Sequence, residues 1–146
     1  MRLNVQTDYA LRLLMHLAVN QGRLCTITEV AERYAISKNH LMKVAHLLGK
    51  EGFIETLRGR SGGLRLARKA ADINLGDVVR YAEADFAIVE CFEGGAGECL
   101  ITPSCRLKSV LHEAVKAFLG ALDGYSLDDL VRRNVHLRDL LDEEAA

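Results

Sequence analysis

Tryptophan is absent from this chain of 146 residues, and aromatic residues make up only 5% of it. A core must therefore come from Leu, Val, Ile and Ala, which suits packed helices. No apolar run reaches the roughly 20 residues needed to cross a bilayer. The N-terminus also lacks the basic-then-apolar pattern of a secretory signal. We therefore expect a cytoplasmic protein with no membrane partner, in which thiols stay reduced and clustered cysteines favour metal over disulfides. Net charge is nearly absent as well, 19 Lys and Arg against 20 Asp and Glu, so the total does not advertise a nucleic-acid binder. There is no internal repeat and no low-complexity linker. No grouping of nucleophile, base and oxyanion donor appears, so an enzyme is not expected. Hydrophobic residues nevertheless make up 49% of the chain, enough for a core in one domain, or one domain plus an appended helix.

The chain does hold an unusual run of cysteines. Cys91, Cys99 and Cys105 lie in a C-x7-C-x5-C array, and the residues between the first two are glycine-rich and acidic. Three thiols cannot all pair within one chain, and a Gly-Gly-Ala-Gly stretch is a poor place to bury them. A loop that wraps a metal centre suits the pattern better. Thr102 and Pro103 are placed to cap and open a helix, which would put Cys105 in its first turn, where the positive end of the helix suits a thiolate. Zinc sites and iron–sulfur sites both want four ligands. A fourth must come from elsewhere, and the spacing alone does not choose between them.

Along the chain, Ala10, Leu13, Leu14, Leu17 and Ala18 recur at helical spacing, predicting a helix from about residue 8 to Asn20 with Asp8 in its first turn. Thr26 and Glu29 form a capping-box pattern for a short helix through Tyr34. Ser37 then caps a helix over residues 38–50, with Leu41, Val44, Leu47 and Leu48 facing the core and Lys38, Asn39, His40 and Lys43 facing outwards. Two short helices joined by a tight turn form a helix-turn-helix pattern. Alternating residues 53–57 and 63–67 predict two strands, joined by a glycine-rich tip that carries Arg58 and Arg60. The expected fold class is thus mainly α with a small β-hairpin wing. Between Ile36 and Leu66 the bases Lys38, Lys43, Lys50, Arg58, Arg60 and Arg65 outnumber the acids Glu51 and Glu55. That local basic footprint points to double-stranded DNA, with Lys38, Asn39, His40, Lys43, Arg58 and Arg60 as contacts.

Asn74 is placed to cap a helix through Glu83. From Pro103 an amphipathic helix is predicted to about Leu122, with Leu107, Leu111, Ala114, Phe118 and Leu122 on one stripe, widened by Val110, Val115 and Leu119. So broad an apolar face calls for a second copy of the chain, and such modules read palindromic sites as dimers. A last helix is expected from Ser126 through Arg133, followed by a frayed tail from Leu140. The organisation expected is a winged helix-turn-helix over residues 1–84, a metal-binding loop over 85–105, and a dimerisation helix with a C-terminal helix over 103–146. Cys25 reads as a partly buried structural thiol, and His16, His46 and His136 as packing or surface groups.

Taken together, TDYALR, ISKNHLMKV, RGRSGGLRLA, the cysteine loop and LDGYSLDDLV resemble the Rrf-two family of winged-helix regulators over nearly the whole chain. ISKNHLMKV and ECLITPSCRLK are most similar to its nitric-oxide-sensing repressors. That resemblance implies a homodimer with one iron–sulfur cluster per subunit, 4Fe–4S favoured over 2Fe–2S, held by Cys91, Cys99 and Cys105. It implies Asp8, acting from the partner subunit, as the fourth ligand, and nitric oxide as the signal. Other members use a histidine three residues after the last cysteine, where this chain has Lys108; the nearest downstream histidine is His112. Iron-status regulators of the family share the cysteine spacing and are the alternative function. A zinc-stapled interaction module is the alternative from another class.

Overall fold

The computed structural model describes residues 1–92 and 99–142. The glycine-rich part of the cysteine loop, residues 93–98, and the end of the tail, residues 143–146, lie outside the described residues.

Helix α1 (Val5–Val19) runs through the centre of the molecule, burying Ala10, Leu13, Leu14, His16, Leu17 and Ala18. It starts three residues before the position predicted. Asn4 is the cap: its Oδ1 accepts from the Thr7 amide at 2.8 Å and the Thr7 hydroxyl at 3.2 Å. Asn4 is itself held by the far end of the fourth helix. Its amide donates to Glu83 Oε1 at 2.8 Å and its Nδ2 to the Ala82 carbonyl at 3.1 Å. This anchor joins residues far apart in sequence, so local patterning could not show it.

Helices α2 (Ile27–Tyr34) and α3 (Lys38–Lys50) form the expected pair. Ala35 turns between them in the left-handed region at φ 53°, and the Ile36 amide closes the turn on Ala31 O at 2.9 Å. The Ser37 hydroxyl caps α3 by accepting from His40 N at 3.1 Å. Leu41, Val44, Ala45 and Leu48 are buried against α1 and α2. Strands β1 (Ile54–Leu57) and β2 (Gly63–Leu66) pair antiparallel in the register Ile54↔Leu66, Glu55↔Arg65, Thr56↔Leu64 and Leu57↔Gly63. The wing is tied to the body at Cys25, which exchanges backbone hydrogen bonds with Leu64 at 2.9 and 2.7 Å. Gly63 permits this approach, since a Cβ there would lie 2.8 Å from the Cys25 carbonyl oxygen.

Asn74 caps α4 (Leu75–Ala82) as expected. Helix α5 (Arg106–Asp123) follows the cysteine segment and lies on α4, joined at its end by two hydrogen bonds from Arg80 to Asp123 at 2.6 and 2.7 Å. The predicted final helix is two helices. Ser126 and Asp129 make a reciprocal capping box for α6 (Leu127–Val131), Arg133 turns through φ 62°, and Asn134 caps α7 (Val135–Leu141). The described part of the tail expected to fray, residues 140–142, is held in place. Leu141 is buried, and its carbonyl accepts from Asn20 Nδ2 at 2.8 Å. Leu127 and Val131 join the core around α1, so the C-terminal helices fold back onto the first one.

Candidate cluster site and nucleic-acid interface

None of the four cysteines is in a disulfide. Cys91 and Cys105 are partly exposed and Cys99 is exposed. Cys91 sits in a turn after α4, where the ring of Phe92 stacks on His112 of α5 with centroids 3.8 Å apart and planes 5° from parallel. That stack fixes the first arm of the loop against the second turn of α5. At the other arm, Thr102 N donates to Cys99 O at 3.0 Å and Cys105 N to Thr102 O at 3.3 Å. This links Cys99 and Cys105 through a single 3₁₀ turn, Thr102–Ser104, which contains Pro103. Cys105 is therefore not inside the helix, as the sequence suggested. It has extended backbone, φ −78° and ψ 105°, and stands as the residue immediately before α5. The short i→i+3 turn uses the proline, and α5 begins only after it.

Asp8 lies in the first turn of α1. There it pairs with Arg12 of its own chain, Oδ2 to Nη2 at 2.8 Å and Oδ1 to Nε at 3.1 Å. Arg12 also stands over the Tyr9 ring, 6.0 Å from its centroid, and Tyr9 lies 6.0 Å from His40 of α3. A chain of contacts thus runs from Asp8 to the start of the second helix of the helix-turn-helix. Tyr34 fixes the same stretch by donating its hydroxyl to the Arg12 carbonyl at 3.3 Å. Burial pushes that phenol up to about 12.

The donor set suits an iron–sulfur cluster, for which soft thiolates are the usual ligands. Thiolates are usual zinc ligands too, and among the described residues Cys91, Cys99 and Cys105 form no group within 4.8 Å of one another. One chain offers three cysteines in this region, so a fourth donor is still needed.

The second surface is formed by α3 and the wing. Lys38, Asn39, His40 and Lys43 are exposed at the start of α3, and Arg58 and Arg60 at the wing tip. Among the described residues, Lys38, Lys43, Arg58 and Arg60 make no ion pair or hydrogen bond. Arg65, counted with them in the sequence, differs: it pairs across the hairpin with Glu55. Arg68 is structural too, donating to the Gly52 and Glu51 carbonyls and covering the Phe53 ring. Four unpaired cations thus stand at the start of α3 and at the wing tip, where they would meet phosphates.

Comparison with known proteins agrees with this geometry. The sequence pattern of the family described as "Rrf2: Iron-dependent Transcriptional regulator" matches residues 3–133. The chain belongs to the Rrf2 family. Its relatives include the "HTH-type transcriptional regulator NsrR" of Bacillus licheniformis, 49% identical over 97% of this chain and 99% of that one. The protein of the same description from Bacillus subtilis is 51% identical over 97% of each chain. Among solved structures, T. potens IscR matches with a TM-score of 0.69 at 25% identity, covering 90% of this chain and 87% of the other. The oxidized form of Staphylococcus aureus CymR matches with a TM-score of 0.71 at 25% identity, covering 90% and 97%. This Rrf2 member is a DNA-binding transcriptional regulator with a winged helix-turn-helix. None of its described helices is long and apolar enough to cross a membrane.

Sequence reasoning missed three local arrangements. The Asp8–Arg12 pair has a sequence signal, opposite charges four residues apart on a helix. The Phe92–His112 stack has none, because its partners are separated by the loop. His16 and Cys25, read as a packing or surface group and a partly buried thiol, are both fully buried. The structure brings them together with Glu29.

Proposed function

We propose that the chain acts as a homodimeric repressor of transcription that responds to nitric oxide through one iron–sulfur cluster per subunit. In this reading the ligands are Cys91, Cys99 and Cys105 of one subunit and Asp8 of the partner subunit, with 4Fe–4S favoured over 2Fe–2S. The observation that carries it is the set of three free, accessible thiols beside α5, in a chain about half identical to regulators bearing the NsrR name. When bound, the cluster would supply iron as the binding site for nitric oxide.

This chain's own residues then do the coupling. Asp8 has two partners to choose between, the metal of the other subunit and Arg12 of its own. Returning to Arg12, it restores the pair beside Tyr9, which lies against His40. DNA affinity then falls by a shift between two arrangements of α1 and α3. Lys38, Asn39, His40, Lys43, Arg58 and Arg60 make the contacts with a palindromic operator.

Helix α5 supports the homodimer. None of its 18 residues is buried within one chain, and Leu107 and Val110 are 59% and 57% exposed. Burying an aliphatic side chain of that size against a twin contributes about 1.5–3 kcal/mol before association costs. The family description favours one second reading, sensing of iron status. Anaerobically purified protein separates the cases. A brown protein that leaves operator DNA on stoichiometric nitric oxide supports the proposal. Release only on iron chelation supports the second reading, and a colourless protein without iron contradicts both.

A further inference from the structure

A second group of donors lies away from the cysteine array, inside the DNA-binding module. His16 on α1, Cys25 at the edge of the wing and Glu29 on α2 bring a ring nitrogen, a sulfur and a carboxylate oxygen within 4.8 Å of one another. His16 and Cys25 are fully buried, while the Glu29 side chain is 21% exposed and opens the group to solvent on one side. We propose that His16, Cys25 and Glu29 form a mononuclear site for a divalent cation of the zinc class, independent of the cluster.

The donor chemistry suits such an ion: imidazole, thiolate and carboxylate are its three usual protein ligands, and water can fill a fourth position. Three protein ligands with one open side make an exchangeable site rather than a closed one. Thiolate and carboxylate together neutralise the ion. Binding releases one proton, from the Cys25 thiol, and His16 enters as neutral imidazole. Glu29 is already a ready ligand. Burial acts to raise its pKa, but hydrogen bonds from Arg23, the Thr26 backbone, Cys25 and His16 outweigh that and hold it below the ordinary carboxylate value. The competitor is Arg23, whose Nη1 donates to Glu29 Oε1 at 2.8 Å. Displaced, Arg23 keeps its bonds to Leu24 O at 3.1 Å and Asn20 Oδ1 at 2.9 Å, so giving up the carboxylate does not strand it.

The position gives the site a use. Cys25 is the residue that hydrogen-bonds Leu64 of the wing, Glu29 lies in the first helix of the helix-turn-helix, and His16 lies on the central helix. One ion would clamp together the three parts that set the angle between α3 and the wing.

Cobalt reports this directly, because a thiolate ligand adds a charge-transfer band in the near ultraviolet. The full-length protein carrying Cys91→Ser, Cys99→Ser and Cys105→Ser is titrated with Co2+ under anaerobic conditions. The expected result is one cobalt per chain with a charge-transfer band from a single sulfur. Adding Cys25→Ser should abolish the band, and Zn2+ should bleach it by replacement. Since Cys25 is buried and its substitution can disturb folding, Glu29→Gln is the second variant. It should weaken cobalt binding by at least about tenfold while circular dichroism stays unchanged. Zn2+ should raise the melting temperature of the triple variant but not that of its Glu29→Gln derivative. Absence of the band at millimolar cobalt, or a band of equal affinity in Glu29→Gln, overturns the proposal. Neither result bears on the cluster, whose cysteines are absent throughout.

Discussion

Asp8 and Arg12 pair one helical turn apart on α1 through two contacts, 2.8 Å and 3.1 Å long. The carboxylate proposed to complete the partner's cluster site thus already has a resting partner in its own chain. Metal ligation by Asp8, as proposed, would be an exchange, and its strength would depend on what Arg12 gives up.

Arg12→Ala should therefore tighten the cluster's hold on Asp8. An exposed i,i+4 pair contributes only about 0.3–0.5 kcal/mol to folding, so stability should hardly change. We expect slower loss of cluster absorbance to oxygen and a slower first phase on nitric oxide addition, followed by stopped-flow absorbance. Rates equal to the wild type would show that Arg12 does not compete for Asp8.

Lys43→Ala and Arg58→Ala should each weaken operator binding and lower the slope of log affinity against log salt by about 0.9. Arg65→Ala is the internal control. Its guanidinium is already paired with Glu55, so its salt slope should change far less. Equal slopes for Arg58→Ala and Arg65→Ala would remove the distinction drawn between free and paired cations.

Asn4→Ala removes the α1 cap and the side-chain bonds to the Ala82 carbonyl and Glu83 together, while its backbone amide can still donate to Glu83. Loss of a cap costs about 1 kcal/mol, and the lost side-chain bonds add to that. Urea unfolding should show the drop in midpoint with the slope unchanged. A value within error of wild type would mean that the Asn4 side chain does not hold the helix start.

Glu29 sets an acid limit on the helix-turn-helix. Its folded pKa lies below the ordinary value of 4.5. Its contribution is therefore fully present above that value and is lost as pH falls through the folded pKa. Melting temperatures measured from pH 6 down to about pH 3 should fall less steeply for Glu29→Gln than for wild type. Parallel curves would contradict the assignment.

Much of this was legible in the sequence where the signal was local. Ser37 and Leu41 placed α3 to the residue, and Asn74 placed α4. The hairpin followed from alternation, the structure trimming one residue from each strand at the end away from the tip, where Ala67 still donates to Phe53 O at 3.0 Å. What escaped was tertiary. Asn4 caps α1 because Glu83 holds it, α7 is ordered because Asn20 reaches Leu141, and His16 meets Cys25 because the wing edge is drawn in at Leu64. The cysteine array was plain from spacing, whereas the 3₁₀ turn that keeps Cys105 out of α5 depends on how one proline closes a short ring.

The central claim is that the cluster is held across the dimer, by three cysteines of one subunit and Asp8 of the partner subunit. Mixed dimers of Asp8→Ala and Cys99→Ala chains, separated by different affinity tags, test it most directly. If the ligation crosses between subunits, one site in each mixed dimer carries both lesions and the other carries neither. Half the sites should then show the wild-type visible circular dichroism and nitric oxide response. If Asp8 serves its own subunit, every site is damaged, no wild-type signal appears, and the account is contradicted.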